Sequence, residues 1–536
     1  MKKLLLLLIP LVFVSSDKIT PDNRPNILWI SCEDMSPHLS CYGEKVAKTP
    51  HLDRLAADGI RYTNAFACAG VCAPSRSTII TGMYQTAIGT QHMRTLAASV
   101  AAKDAYPPDF VAYSAVLPNQ VKCFSEYLRQ AGYYCTNNEK QDYQFEAPVT
   151  AWDESSRKAH WRNRPAGKPF FSVFNLMVTH ESQVWMRAKE PLLVNPQDVV
   201  VPPYYPDVPA VRDDIARHLS NVMTMDEQAG ELLKQLKEDG LLNNTIVFFW
   251  SDHGDGLPYV KREITDRGLR VPLIVRFPDK RNAGKINPQK VSLMDLGPTV
   301  LSLANVPVPK YMHGQAFLGT QQVKTPRKYI FAARDRMDSE YDRVRSVHDG
   351  RYQYLRNYMP EKPYYQPIKF RLQQTSMAAI LTLNELGKLT ATQMRWFETK
   401  PPEELYDIKS DPHQLKNLVK LPRYQSKLQE LRKAYNNWIA QYGDMSNVPE
   451  MEMVRKWWGG ALEKPPVTQA PEVMVMHNKV VINCPTKGAS VGYKKHWKDA
   501  SWEVYSQPFE HTEGDSLYIL AHRIGYKASE VVKYKQ

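Results

Sequence analysis

The sequence predicts an α/β fold in which strands, loops and helices alternate along the chain. The apolar run NILWIS, residues 26–31, has the length and flanks of a strand that is buried on both faces of a sheet. Two similar runs, PFFSVFNLMVTH and IVFFWSDHG, end in the polar residues His180, Asp252 and His253. Because ligands bind beyond the carboxyl ends of strands in open α/β sheets, these strand ends predict one shared site.

The first predicted strand is followed by the acidic pair Glu33 and Asp34 and then by a helix. In the segment TPHLDRLAADG, Thr49 is placed to cap the helix, Pro50 to occupy its first turn and Gly59 to end it. This part of the chain therefore forms a strand, loop and helix unit.

Three further regions follow this α/β part. The short strand-like pieces KYIFAAR and RYQYLRNYM precede an amphipathic helix near residues 423–442, which predicts a smaller α+β subdomain over residues 329–462. The proline-rich segment KPPVTQAP indicates a linker at residues 463–472. Residues 473–536 alternate at strand periodicity between turn residues and predict a small β-sandwich.

Composition restricts the class of partner. The chain has 536 residues, of which 43% are hydrophobic and 23% charged, so it can bury the cores of several domains. It carries 69 Lys and Arg against 56 Asp and Glu, a net charge of +13 that favours anionic partners. The basic residues are dispersed and no nucleic-acid recognition motif is present, which disfavours a nucleic-acid partner. Sulfated or phosphorylated carbohydrate remains a suitable partner.

The first residues predict export. Lys2 and Lys3 precede an apolar run over residues 4–14, and the small residues Ser15 and Ser16 follow, so residues 1–16 match a signal peptide. The run is too short to span a membrane, which takes about 20 apolar residues, and no later stretch qualifies. We therefore expect a periplasmic or secreted protein without a membrane span.

The most specific motif is VCAPSR, from Val71 to Arg76, with Thr81 and Gly82 shortly after it. It resembles the signature of the type I sulfatases, although a structural cysteine at the start of a helix would give similar local sequence. Other segments match that family in its usual order over about residues 24–442. They are RPNILWI, TPHLDRLAADGIRYTNAF, SDHG, LRVPLIVRFP, MDLGPTVLSLANVPVP and ELYDIKSDPHQLKNL.

The resemblance implies an alkaline-phosphatase-like sulfatase fold, with a large mixed sheet between helices and a catalytic domain over residues 24–328. It also implies that a maturation enzyme oxidises Cys72 to formylglycine, whose hydrate has one hydroxyl to attack sulfur and a second to expel sulfate. Without Cys72, six of the seven cysteines remain. That even number suits disulfide pairing in an oxidising compartment, but six buried free thiols would look the same.

By the same resemblance, a divalent cation is held by Glu33, Asp34, the formylglycine at position 72, Asp252 and His253. Hard oxygen ligands of this kind suit Ca²⁺. The chain departs from the commonest pattern at Glu33, where the family usually has aspartate, and at His253, where asparagine is usual. Sulfatases of the iduronate type also have histidine there, although imidazole suits softer metals as well.

Four residues match the catalytic cations and histidine of the family. Arg76 matches the arginine that holds the formylglycine, and Lys140, in NNEKQDY, matches the lysine of the Gly-Lys-x-His motif. His180 matches the histidine at a strand end, and Lys261 matches the lysine that contacts the sulfate and the leaving oxygen. Fixed cations of this kind stabilise charge on the transferring group.

Residues near this centre are candidates for substrate binding. Many sulfatases have a histidine where this chain has Asp142, so the base that regenerates the aldehyde is left open between Asp142 and another group. His92 and Arg94, in GTQHMR, are predicted to contact the sugar near the sulfate, with help from Arg262 and Arg267.

We therefore predict an exported sulfatase that hydrolyses sulfate esters of a carbohydrate, such as a glycosaminoglycan or an algal polysaccharide fragment. Two alternatives are a phosphoester or phosphonate hydrolase of the same superfamily and a non-catalytic glycan-binding protein. The C-terminal module resembles the fibronectin-like domain of bacterial hexosaminidases through GASVGYK and WEVYSQPFEH. In that module Trp502 and Tyr505 are interpreted as core residues, with stacking on sugar as the alternative.

Overall fold

The computed structural model describes residues 24–96, 106–510 and 516–535; the predicted signal peptide lies outside them. Its centre is a mixed eight-stranded sheet with the spatial order β4-β3-β5-β1-β6-β7-β2-β8. These strands are β1 (Asn26–Cys32), β2 (Ile60–Phe66), β3 (Tyr134–Asn138), β4 (Glu154–Ser155), β5 (Phe170–Leu176), β6 (Thr245–Ser251), β7 (Arg270–Arg276) and β8 (Lys285–Ser292). The predicted α/β class with a large mixed sheet is confirmed.

The three predicted strands with polar ends are neighbours at the middle of this sheet. Strand β1 pairs in parallel with β5 on one side and with β6 on the other. Cys32, the last residue of β1, lies opposite Leu176 of β5 and Ser251 of β6, so all three strands end at the same level. The side chains that follow them therefore converge at one edge of the sheet.

Helices cover both faces of the sheet. The described helices are α1 (Pro50–Ala57), α2 (Cys72–Thr81), α3 (Gln85–Ile88), α4 (Phe124–Gln130), α5 (Ser182–Met186), α6 (Pro209–Glu238), α7 (Asp266–Leu269), α8 (Leu296–Leu303), α9 (Thr375–Glu385), α10 (Ala391–Met394), α11 (Gln425–Tyr442) and α12 (Glu450–Trp457). Successive side chains of a strand point to opposite faces. Trp29 accordingly belongs to the apolar cluster that includes residues of α2, α4 and α8, whereas Leu28 belongs to the cluster that includes residues of α1, α6 and α9.

The predicted α+β portion contains an antiparallel sheet in the order β12-β11-β10-β9. Its strands are β9 (Ile330–Arg334), β10 (Val344–His348), β11 (Tyr352–Asn357) and β12 (Glu403–Asp407). Helix α11 buries Leu431 and Trp438 against Val347 and Tyr354 of this sheet, as its amphipathic pattern predicts. The 30-residue helix α6 was not predicted from the sequence.

Two small antiparallel sheets form the C-terminal module. One has the order β13-β14-β17 and the other β16-β15-β18-β19. Their strands are β13 (Glu472–Met476), β14 (Lys479–Asn483), β15 (Ser490–Lys494), β16 (Glu503–Val504), β17 (Phe509–Glu510), β18 (Ser516–His522) and β19 (Val532–Lys535). Val480 and Leu517 belong to one apolar cluster between the sheets, and Tyr505 packs against it, which supports a core role for this tyrosine. The likeness to a fibronectin-like domain and the domain boundaries remain predictions.

Two other sequence-based expectations concern cysteines and membranes. All seven cysteines lie in the described residues and none of them forms a disulfide, so the even number of six does not reflect pairing. Among the described helices, none combines the length and the apolar character that crossing a membrane requires.

The loop after β18 joins the C-terminal module to the central core. Ile524 is part of the apolar cluster under the eight-stranded sheet, and Arg523 donates a hydrogen bond to the carbonyl of Leu117 at 2.9 Å. Gly525 has a φ of +93°, and a Cβ atom there would lie 2.4 Å from the Cα atom of Val116. The absence of a side chain at Gly525 therefore permits the close approach.

We expect Gly525→Ala to destabilise the protein because the new methyl group meets backbone that cannot move aside. Gly387→Ala is the matched control, since Gly387 also has a positive φ, +64°, but has open space around its Cβ position. Gly525→Ala should cost about 1–3 kcal/mol more than the control in urea unfolding. Equal losses for the two variants would show that backbone strain, and not the docking of the loop, determines the effect.

Candidate active site

The first residues after strands β1 and β6 and the start of helix α2 meet at one point. Asp34 has a φ of +49°, and its backbone N–H donates to Asp252 Oδ1 at 3.1 Å. Cys72 is the first residue of α2, and its Sγ lies 3.6 Å from Asp34 Oδ1 and 3.2 Å from His253 Nε2. All of these side chains are buried.

The structure brings all five predicted metal ligands together. One atom from each of Asp34, Cys72, Asp252 and His253 lies within 4.8 Å of the others. A second set of atoms within the same distance joins Glu33, Asp34, Cys72 and His180. His180, predicted only as a catalytic residue, thus also reaches this centre.

The donor set fits a hard divalent cation if position 72 supplies oxygen. Glu33, Asp34 and Asp252 offer carboxylate oxygens, which Ca²⁺ prefers, whereas the Cys72 thiol is a soft ligand. Although burial lowers the pKa of His253, the charges of Asp252 and Asp34 outweigh it and raise the pKa well above its ordinary value. The carboxylates therefore attract positive charge to this position, which is what a bound cation would supply.

Glu33 is held by two cations. Arg76 donates to Glu33 through Nη2, to Asp252 Oδ2 through Nε at 3.1 Å and to Asn175 Oδ1 through Nη1 at 2.9 Å. Lys140 Nζ donates to the other oxygen of Glu33. Burial opposes ionisation of Glu33, but the charges of Arg76 and Lys140 lower its pKa well below the ordinary value. Glu33 is therefore a charged group of the centre and not a solvated loop carboxylate.

Asp34 is held in a corresponding way from the other side. Lys261 Nζ donates to Asp34 Oδ2 and lies 3.1 Å from Glu181 Oε1. The backbone N–H of Glu181 also donates to Asp34 Oδ2, at 2.7 Å. Arg262 completes the network with two hydrogen bonds to the Glu181 carboxylate, at 2.6 and 2.9 Å. Burial alone would raise the pKa of Asp34. The charge of Lys261, together with the neighbouring histidines, outweighs this effect, so the pKa lies well below its ordinary value.

His180, which follows β5 after a short 3-10 helix, differs from His253 in the direction of its pKa shift. Burial and the positive charge of Lys261 lower the pKa of His180 from 6.5 to about 4, so its imidazole is neutral at neutral pH. Its Nδ1 lies 2.9 Å from Ser182 Oγ. Asp142 lies at the edge of the centre, with its carboxylate 3.7 Å from Lys140 Nζ.

The predicted sugar-binding residues occupy different positions. His92 is 5% exposed, and its Nδ1 accepts from the Arg336 backbone N–H at 3.4 Å, so it is a buried side chain rather than an open contact surface. Arg94 is one third exposed at the side chain, lies 4.8 Å from the Phe370 ring and pairs with Asp338 at 2.8 Å.

Phe370 also contacts the ring of His180, with 6.3 Å between the ring centroids. Arg94 therefore lies at the rim of the reactive centre. Arg267 lies over the rings of Tyr204 and Tyr259 and donates to the carbonyl of His413. None of these contacts of Arg267 involves a residue of the centre.

A profile of the family described as "Sulfatase" matches residues 25–164 and 137–306. An ulvan-active sulfatase of Formosa agariphila is 45% identical over 550 residues, which cover 95% of this chain and 91% of the relative. The chain belongs to the sulfatase family. A second profile, described as "N-sulphoglucosamine sulphohydrolase, C-terminal", matches residues 254–379 of this sulfatase. The predicted family and enzyme class, a sulfuric ester hydrolase, are confirmed.

Solved structures agree with the fold. One solved in complex with its substrate D-glucosamine-2-N,6-O-disulfate superposes with a TM-score of 0.56 at 19% identity, covering 80% of this sulfatase and 99% of that chain. The phosphonate monoester hydrolase of Agrobacterium radiobacter superposes with a TM-score of 0.56 at 16% identity, covering 78% and 96%. These likenesses show the fold alone and do not distinguish sulfate from phosphonate substrates.

Two residues of the site were missed by sequence reasoning. Asn175 lies on β5, where its side chain accepts hydrogen bonds from Arg76 and, at 2.7 Å, from Ser31 Oγ. A single amide in the apolar strand FFSVFNL was the available signal. Glu181 gave no distinct signal, because an acidic residue next to His180 is equally typical of an exposed loop.

The buried pair formed by Glu181 and Arg262 allows a test of the network. We expect either Glu181→Gln or Arg262→Met alone to cost about 3–5 kcal/mol of unfolding free energy, because each leaves a buried charge with fewer partners. The double variant should lose less than the sum of the two. Urea unfolding of the four proteins measures this coupling, and additive losses would contradict a direct dependence of one charge on the other.

Proposed function

We propose that this sulfatase is exported and hydrolyses sulfate esters of an ulvan-type polysaccharide, using formylglycine at position 72 and Ca²⁺. The observation that carries the proposal is the position of Cys72 at the buried start of α2, next to Asp34 and His253. Ulvan is a sulfated algal polysaccharide, and the ulvan-active relative is similar to this chain over almost its whole length.

The thiol itself is poorly suited to the reaction. Burial raises the pKa of Cys72 to about 11, so the thiol stays protonated at neutral pH and is a weak nucleophile. Conversion to formylglycine would instead supply a hydrated aldehyde, which offers a hydroxyl nucleophile and an oxygen ligand for the cation. The conversion requires a maturation enzyme, which is part of the proposal.

The cation would be held by Glu33, Asp34, Asp252 and His253 together with residue 72. Bound Ca²⁺ would neutralise the sulfate oxygens and orient them for attack. The surrounding carboxylates are buried, and their separation from solvent strengthens every electrostatic interaction in the centre.

The protein's own cations would hold the sulfate group. Arg76, Lys140 and Lys261 line the centre and are fixed by carboxylates, so they need no rearrangement when charge develops on the sulfuryl oxygens. The pKa of Lys261 is above its ordinary value because the charge of Asp34 outweighs burial, so Lys261 carries the proton that the leaving oxygen needs. The lowered pKa of His180 leaves its imidazole neutral, so Lys261 is the charged proton donor of the two.

Arg94 is the best-placed residue for contact with the sugar. It is partly exposed, it pairs with Asp338, and it lies over the ring of Phe370, which also contacts His180. A guanidinium fixed in this way suits a second anionic group on the substrate, either a carboxylate or a further sulfate. The net charge of +13 and the apolar segment at residues 4–14 support a polyanionic substrate and export, respectively.

The state of residue 72 provides the first test. In protein from the native host, the peptide that contains position 72 should be lighter than the cysteine form by the difference between a CH₂SH and a CHO group. Cys72→Ala should lower kcat/KM for an aryl sulfate by at least about a thousandfold, because the nucleophile is lost. Cys484→Ala, which removes a thiol of the C-terminal module, is the matched control and should keep full activity.

The same assay distinguishes the alternatives. Aryl sulfate should be hydrolysed faster than aryl phosphate or phosphonate; the reverse order would favour a phosphoester or phosphonate hydrolase. An unmodified thiol in protein from the native host, with no turnover of either ester, would favour a glycan-binding protein.

Substitution of Arg94 tests sugar recognition. We expect Arg94→Ala to raise KM for ulvan oligosaccharides about tenfold to a hundredfold, since a hydrogen bond to a charged group is lost. The kcat for a small aryl sulfate should not change. Arg281→Ala removes a surface guanidinium paired with Asp279 and should alter neither value. Equal loss on both substrates would instead give Arg94 a role in holding the reactive centre.

A further inference from the structure

Arg371 is a buried charge without a hydrogen bond. It lies in the short 3-10 helix Lys369–Gln373 and is 1% exposed. Its Nε, Nη1 and Nη2 atoms are all buried and none of them donates to an acceptor in the described residues. Trp396 lies under the guanidinium, with 5.4 Å between Cζ and the ring centroid. Buried polar groups are nearly always hydrogen-bonded, so this side chain needs an explanation.

Neighbouring buried cations are each matched by a carboxylate. The pairs are Arg262 with Glu181 at 2.6 Å, Arg334 with Glu263 at 2.8 Å and Lys400 with Asp342 at 3.0 Å. No carboxylate of the described residues lies within 4 Å of Arg371. Among these four buried cations, Arg371 is therefore the one without an ion pair. Burial and the charge of Arg262 lower the pKa of Arg371 to about 10, which still leaves it protonated at neutral pH.

The unpaired polar atoms around Arg371 are mainly donors. Arg334 Nε and Gln366 Nε2 also lack acceptors, whereas the unpaired acceptors are Glu263 Oε1 and Gln374 Oε1. Water can accept hydrogen bonds from these nitrogens, but it cannot neutralise a buried charge. A ligand that satisfies both these donors and the charge of Arg371 therefore has to be an acceptor and an anion.

We propose that the Arg371 guanidinium binds a small inorganic anion of the halide class inside the folded protein. Burial limits the ligand to an ion of this size, because a carboxylate or sulfate attached to a polysaccharide would need an open path to the guanidinium. The site is separate from the reactive centre. The two are connected by charge, because Arg262 and Glu181, which belong to the network around Asp34, also act on Arg371.

Crystals of the full chain grown in bromide test the site directly. The proposal predicts an anomalous difference peak at hydrogen-bond distance from the Arg371 guanidinium. Density at that position without an anomalous signal would identify water and would overturn the proposal.

Thermal unfolding gives an independent readout in solution. The unfolding midpoint of the wild type should rise by a few degrees when chloride or bromide replaces a large organic anion at constant ionic strength, because ligands of the folded state stabilise it. Arg371→Met removes the charge and should abolish this dependence, while Arg423→Met, at an exposed arginine, should keep it. If the wild-type midpoint is the same in all of these salts, the proposal is wrong.

Discussion

The whole centre depends on the need to neutralise carboxylates that the fold forces together. Parallel strands β1 and β6 end at the same level, so Glu33, Asp34 and Asp252 converge where water cannot solvate them. Mutual repulsion of buried negative charges is large in a low-dielectric interior. Arg76, Lys140 and Lys261 compensate it, and each of these cations contacts a different part of the carboxylate cluster.

This arrangement also suits the proposed binding of sulfate. The cations are ordered by the carboxylates before substrate arrives, so a doubly charged or singly charged oxyanion meets donors that are already in place. A bound divalent cation would relieve the remaining excess of negative charge, which at present raises the pKa of His253 against the effect of burial. Structure and proposed chemistry thus have the same electrostatic origin.

Sequence alone predicted the strands β1, β5 and β6 because their apolar runs are long and end in polar residues. It also predicted the residues that converge beyond them, through motif resemblance. It did not predict helix α6, although the buried apolar residues of this helix recur at helical spacing, nor the role of Glu181. Such roles depend on contacts distant in sequence: Glu181 meets Arg262, and Arg371 meets Trp396. Local patterns carry no information about these pairings.

Metal analysis of the purified enzyme, combined with chelation, decides whether the carboxylate cluster holds a divalent cation. We predict one calcium ion per chain, with activity and the unfolding midpoint falling together on chelation and recovering when Ca²⁺ is added back. Full activity and an unchanged unfolding midpoint in protein shown to contain no metal would contradict it.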